Sequence, residues 1–256
     1  MDRDDRPSEG FDGESRGRKS MRVMSYNMHH GVGVDGQLNL KRIADVIGKE
    51  EPDLVGLNEV DICFHRRSRF EDQLARLVEM LGMEGVFGPS IQWNRLGNFP
   101  PRRYGNGLLF KGRLEESANH PVTGKGEEPR AVLTARIRRE DRDVLVGVTH
   151  IGFTPWIRRA QQRVLTEQCL SFRGPVLVMG DWNVLPDHPA VTSLSPPLTD
   201  VLELMGVKEG TYPCSAPRKR IDYIFCSHHF RIRDGWVVQT PGCPSDHRPV
   251  VCDLEW

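Results

Sequence analysis

Two rhythms of apolar and polar positions alternate along this chain. Short, mostly apolar runs stand at Met21–Tyr26, Asp53–Leu57, Val144–Val148, Val176–Met179, Ile221–Cys226, Phe230–Val238 and Pro249–Leu254. Rich in β-branched side chains, they predict strands, the more continuous of them buried on both faces. Ala131–Arg138 alternates apolar with polar and predicts a strand with one wet face. The segment Phe87–Phe110 reads as strand–loop–strand turning at Arg102–Gly107, and the stretch through Gly124 and Gly126 as loop. The second rhythm is helical. Asn39 is placed as an N-cap before Leu40, Ile43, Ala44 and Ile47 on one face. Phe70, Leu74, Leu77, Val78 and Leu81 form another apolar face, stopped by Gly82. Thr154-Pro155 starts a third helix, running to about Phe172. The Pro-rich Leu185–Leu198 predicts turns and a short helix. Strands that alternate with helices, with hairpins between, argue an α/β fold of mixed sheets with helices outside.

Composition narrows this only a little. The first twenty residues are rich in Asp, Arg, Gly and Ser and read as a disordered tail rather than a signal peptide. Residues 21–256 then form a single domain, long enough to bury a sizeable core. Lys+Arg and Asp+Glu balance at 35 each, so net charge argues for neither nucleic acid nor an acidic partner. Seven of the 35 basic residues are Lys, leaving 28 Arg, the side chain that grips phosphate oxygens in pairs, although a GC-biased genome accounts for the excess equally well. The six cysteines are scattered without a zinc pattern, several in strand-like runs, as buried free thiols are. A reducing, cytoplasmic location follows as the expectation. No apolar run approaches the ~20 residues of a membrane span.

What changes the picture is where the polar residues fall. Asn27, Glu59, His150 and the pair Asp181 and Asn183 each follow a predicted strand. Asp222 opens one, and Asp246-His247 precedes the last. Singly, each has an ordinary reading: Asn27 and Asn183 as turn formers, Asp222 as a surface partner of Arg220 or Lys219, His150 as a satisfied strand-end histidine. Together they suggest one rim at the edge of the sheets, where α/β folds carry their chemistry. No nucleophile elbow, P-loop or dinucleotide fingerprint is present in the sequence. Oxygen donors suit a hard ion, and two histidines suit proton transfer, a combination that fits metal-assisted hydrolysis of a phosphate ester.

The ordered motifs Ser25-Tyr26-Asn27, Leu57-Asn58-Glu59-Val60-Asp61, Tyr104-Gly105-Asn106, Thr149-His150, Gly180-Asp181-Trp182-Asn183, Arg220–Phe225 and Ser245–Val250 resemble the endonuclease/exonuclease/phosphatase superfamily. The resemblance spans residues 21 to 256 and implies the DNase-I-like fold, a four-layered α/β sandwich of two packed mixed sheets flanked by helices. It implies a Mg²⁺ or Mn²⁺ site at Glu59, with Asn27 beside it and Asp246 completing it. Asp181 would orient and deprotonate the attacking water, and Asn183 would hold the phosphate. His247, paired with Asp222, would contact the scissile phosphate and share the proton work. His150 would stabilise or protonate the leaving group. The chain departs from the family in having Asn58 where Gln is common and Trp182 where Phe or Leu is usual. His29-His30-Gly31 resembles a bacterial phosphodiesterase branch rather than the DNA-repair branch, and leaves both histidines open between loop filler and substrate contact.

The expected activity is metal-dependent cleavage of a phosphodiester by in-line attack of water, in a monomer that does not insert stably into membranes. Three substrates stay open: a small phosphodiester, a lipid head group, or DNA or RNA cut by a nuclease. A non-catalytic binding module that kept the fold is the alternative of another class. Arg66, Arg67, Arg69, Arg102 and Arg103 are either solvated loop charges or a phosphate clamp.

Overall fold

The computed structural model describes residues 20–94, 97, 100–124 and 126–256. The tail expected over residues 1–20 lies outside these except for Ser20, which already belongs to the first strand. Two six-stranded mixed sheets pack face to face. The first has the order β11-β12-β1-β2-β4-β3, formed by β1 (Ser20–Asn27), β2 (Leu54–Ile62), β3 (Glu84–Trp93), β4 (Arg102–Phe110), β11 (Arg231–Val237) and β12 (Val250–Glu255). The second has the order β5-β6-β7-β8-β10-β9, formed by β5 (Arg113–Val122), β6 (Arg130–Arg139), β7 (Arg142–His150), β8 (Val176–Asp181), β9 (Leu198–Asp200) and β10 (Asp222–Ser227). Each sheet holds one parallel pair at its centre, β1 with β2 and β7 with β8, and is antiparallel elsewhere. A parallel pair needs a crossover. Helix α1 (Leu40–Glu50) makes the first and α3 (Pro155–Leu165) the second.

Three apolar clusters give four layers. Val23, Leu54, Leu108, Val146, Leu177, Met179, Ile224 and Cys252 fill the space between the sheets. Ile43 and Ile47 of α1 and Leu74 and Leu77 of α2 (Gln73–Leu81) cover the outside of the first sheet. Leu165, Cys169 and Trp182 cover the second, with the Trp182 ring packed on Tyr223 and Phe225 at 5.7 and 5.1 Å. Asn39 and Thr154 cap α1 and α3 as their sequence positions predict.

Several expectations change. Strand β4 runs through Arg102–Gly107, so these residues are strand rather than turn. The stretch read as loop up to Gly124 contains β5, an edge strand with mostly exposed side chains. Strand β6 is buried on both faces, because α3 covers what would have been its wet side. Phe70 stands outside α2, which is capped by Asp72, and is 44 % exposed. Beyond Leu165 the chain continues as a π-helical turn, Thr166–Leu170. Cys214 and Cys243 form a disulfide, so the expectation of free thiols holds for Cys63, Cys169, Cys226 and Cys252. Among the described residues no helix is long and apolar enough to cross a membrane.

Candidate active site

The polar rim assembles where the central parallel strands of both sheets end. Asn27 closes β1 in register with Asn58 of β2, and His150 closes β7 in register with Asp181 at the end of β8. Asp222 opens β10 opposite Asp181. Two glycine-like backbones create the geometry. At Gly180 (φ 142°) an added Cβ would lie 1.8 Å from the Thr149 carbonyl oxygen, so only glycine lets β8 pass that close. Glu59 does not follow β2 but sits within it, at a bulge between Leu57 and Val60, with φ 59°. A left-handed backbone at a non-glycine residue costs ~1–2 kcal/mol. Here the bulge swings the Glu59 carboxylate into the cleft.

A buried amide ladder ties the two sheets behind the site. Asn58 Nδ2 donates to Asn106 Oδ1 (2.8 Å) and to the Thr149 carbonyl (3.1 Å), while its Oδ1 accepts the Asp181 N–H (2.9 Å). Asn106 Nδ2 donates onward to the Ala131 carbonyl (3.0 Å). The shorter amide at this position therefore bridges β2, β4, β7 and β8 directly, and β6 through Asn106.

The cleft, of ≈ 510 Å³, is lined by Glu59, His150, Asp181, Asn183, Asp246 and His247 among the anticipated residues. Asp181 Oδ2 lies at its centre. It accepts from Asn27 Nδ2 at 3.1 Å and has His150 Nε2 at 3.5 Å and His247 Nε2 at 3.6 Å. The Asn183 N–H donates to Asp181 Oδ1 at 2.8 Å. The Asn183 side-chain amide donates to the Ile151 carbonyl at 2.9 Å, which leaves its oxygen for the cleft. His247 Nδ1 is 2.9 Å from Asp222 Oδ2, an acceptor that sets the proton on Nδ1. Asn27 turns its NH₂, not its oxygen, toward Glu59 and Asp181. The oxygen accepts the His29 N–H at 3.1 Å, which fixes this orientation.

Burial and charge split the titratable groups. Burial pushes Asp181 up to about 7, helped by Asp222 and opposed by His247. For His247 burial works downward, but Asp222 and Asp181 overcome it and push the ring up to about 10. Burial, with the charge of Arg130, holds His150 down at about 3. For Glu59 burial works upward and is outweighed by His30 beside it and the Asn27 amide, leaving the carboxyl far below the usual range. At neutral pH the cleft thus holds a cationic His247, a neutral His150, an ionised Glu59 and an Asp181 poised between its two forms.

The donor chemistry fits a divalent ion. A partly buried, ionised carboxylate favours a counter-charge; Glu59 contacts an amide and an imidazole, with Arg67 further off and Asp246 across the cleft beside His29 at 3.9 Å. The Arg loop behaves differently from the clamp considered above. Of its members only Arg67 reaches the cleft, pinned by the buried Asp61 at 2.9 Å and stacked over Tyr104. Arg102 and Arg103 lie over Phe70 and Phe87. The lining also includes Tyr104, Arg130, Phe153, Tyr212 and Lys219. Arg130 is 4 % exposed, with Glu128 at 3.0 Å. Its only sequence signal is a buried charge at the head of an apolar strand.

The chain belongs to the endonuclease/exonuclease/phosphatase family, whose pattern it matches over residues 24–247. It is 25% identical over 245 residues to the uncharacterized protein YbhP of Escherichia coli (strain K12), covering 92% of this chain and 96% of that one. Among solved structures it resembles an endonuclease/exonuclease/phosphatase from Beutenbergia cavernae DSM 12333 at a TM-score of 0.81 and 27% identity, covering 93% of this chain and 72% of that one. The fold is also shared with the mannosyl-6-phosphatase Bt3783 of Bacteroides thetaiotaomicron VPI-5482, at a TM-score of 0.70 and 20% identity, covering 92% of this chain and all (100%) of the other. The family hydrolyses phosphate esters and is typically divalent-metal dependent.

Proposed function

We propose that the protein is a divalent-metal-dependent phosphodiesterase acting on a small phosphodiester. The observation that carries this reading is the surround of Asp181 Oδ2: one amide donor and two imidazole nitrogens within 3.6 Å, in a cleft that also holds Glu59. Asp181, poised near neutrality, takes a proton from the attacking water as the new P–O bond forms. Asn27 bridges the Asp181 and Glu59 carboxylates through its NH₂ and so clamps the site beside the ion. The Asn183 oxygen orients the water. His247, cationic and backed by Asp222, hydrogen-bonds a phosphoryl oxygen and gives its Nε2 proton to the departing oxygen as the old P–O bond breaks. It then recovers a proton from Asp181 across 3.6 Å, which returns both groups to their starting forms. His150, held neutral, donates a hydrogen bond to the leaving oxygen rather than a proton. Glu59 and Asp246 would hold a divalent ion, which would supply the positive charge that polarises the phosphate.

The size of the cleft and the small number of cationic groups in it, Arg67, Arg130 and Lys219 besides His247, favour a small substrate over a duplex. The test is hydrolysis of bis(4-nitrophenyl) phosphate with Mg²⁺ or Mn²⁺, alongside plasmid DNA, phospholipid and phosphomonoesters. Full rate in excess EDTA would sink the metal, and activity on plasmid alone would make the enzyme a nuclease. No hydrolysis of any of these would return the binding-module reading.

A further inference from the structure

We propose that His29 and His30 join Glu59 as direct ligands of the divalent ion, making a mixed imidazole–carboxylate site that prefers a first-row transition ion to Mg²⁺. The proposal rests on the reading that Glu59 holds a divalent ion, and deepens it.

The turn after β1 has an unusual backbone. His29 (φ 44°), His30 (φ 42°) and Gly31 (φ 75°) follow one another in the left-handed region. One such residue is common enough at glycine, but two consecutive histidines persist there only when their surroundings hold them. Those surroundings are visible. The His29 N–H donates to Asn27 Oδ1 (3.1 Å), Gln73 Nε2 donates to the His30 carbonyl (2.7 Å), and the Gly31 N–H donates to the Met28 carbonyl (2.8 Å). Gln73 is itself fully buried and also accepts the Asp61 N–H at 3.0 Å, so it staples the turn to the bulged strand that carries Glu59.

The strained turn brings both rings to the Glu59 carboxylate, which enters from a strained position of its own. One donor atom from each of His29, His30 and Glu59 lies within 4.8 Å of the others. Bonds of ~2.1 Å to one ion can gather such a set with small side-chain rotations. The ring tautomers are suited to this. His29 Nδ1 lies 2.9 Å from the Val32 carbonyl, which only accepts, so the proton sits on Nδ1 and the lone pair on Nε2. A histidine ligand whose second nitrogen donates to a backbone carbonyl is the usual outer-shell arrangement. His30 Nδ1 is buried without a well-formed hydrogen bond, 3.5 Å from Glu59 Oε2. Two imidazoles beside one carboxylate do not suit Mg²⁺, which takes oxygen ligands and keeps its waters. They suit Co²⁺, Mn²⁺, Fe²⁺ or Zn²⁺.

Metal-free protein is titrated with Co²⁺, read by its visible absorption, and then competed with Mg²⁺. The variants are His29→Gly and His30→Gly, because glycine is at ease in a left-handed turn and the fold survives. Each is expected to weaken Co²⁺ binding at least about tenfold, the low end for loss of even an outer-shell partner, and to change the absorption bands. Mg²⁺ affinity should move far less. Wild-type Co²⁺ affinity and spectrum in both variants would overturn the proposal, as would a wild-type protein that binds no Co²⁺. Loss of Co²⁺ in Glu59→Gln alone would mean an oxygen-only site and also overturn it. Histidine-dependent Co²⁺ binding in a protein that hydrolyses no phosphodiester would uphold this site while refuting the proposed activity.

Discussion

Replacing Asp181 by Asn should make the protein inactive and, above neutral pH, more stable. The carboxyl is buried and its value is pushed from 3.8 up to about 7. At 1.36 kcal/mol per unit, keeping it ionised costs the fold ~4 kcal/mol, a net cost from which the attraction to His247 has already been subtracted. A carboxyl raised in the folded state favours folding below its unfolded value and loses that advantage as pH rises through the folded one. The penalty on the wild type therefore grows between pH 4 and 7 and is constant above. At pH 5 it is less than half of its full size. The Asn side chain removes it, but sets an NH₂ against the Asn27 donor. That mismatch costs ~1 kcal/mol or more and does not vary with pH. The diagnostic is thus the slope of the stability difference rather than its value at one pH. Urea melts of both proteins in EDTA, from pH 5 to 9, give that slope. Turnover of an aryl phosphodiester should fall by ~10²–10⁴ in the same variant. A stability difference flat with pH would refute the buried, near-neutral carboxyl, and wild-type turnover would refute its role as base.

Further expectations follow from the same cleft. Asn58→Ala strips the Asp181 N–H, the Asn106 oxygen and the Thr149 carbonyl of a partner. At ~1–3 kcal/mol per orphaned group the melting temperature should drop sharply, with turnover falling as β8 loosens; an unchanged melt would show that the ladder is slack. Arg130→Ala should lower kcat/KM by ~10–100-fold, the scale of a charged hydrogen bond to phosphate, mainly through KM, and an unaltered KM would remove Arg130 from the substrate. Gly180→Ala should fail to give folded protein, judged by circular dichroism, since its Cβ would meet the Thr149 oxygen at 1.8 Å.

Sequence patterning succeeded where burial is one-sided and strong. The apolar run before Gly180-Asp181 reads as a buried strand, and its polar sequel lands at the strand's end in the cleft wall. It failed where the chain's own pattern is weak. Strand β5 is a polar edge, so nothing in Arg113–Val122 distinguishes it from loop. Strand β6 carries Thr134 and Arg136 in a strand-like alternation, yet Thr134 is buried by neighbours that no local window contains. The bulge at Glu59 and the left-handed turn at His29-His30 are conformations that non-glycine residues adopt only under tertiary constraint, and such constraint is invisible in composition. Arg130 and the Cys214–Cys243 pair were missed for the same reason: their partners are supplied by the fold, not by spacing.

The first strand, β1, lies between β2 and the last strand, β12, with Ser20 opposite Glu255. This has a consequence for biosynthesis. While the chain is being made, the β1 edge that will meet β12 stays unpaired until Val250–Glu255 leave the ribosome. Asn27, His29 and His30 emerge early, whereas Asp246 and His247 emerge only just before the strand that closes the sheet. The nascent protein should therefore carry no assembled cleft until residues 246–255 have emerged.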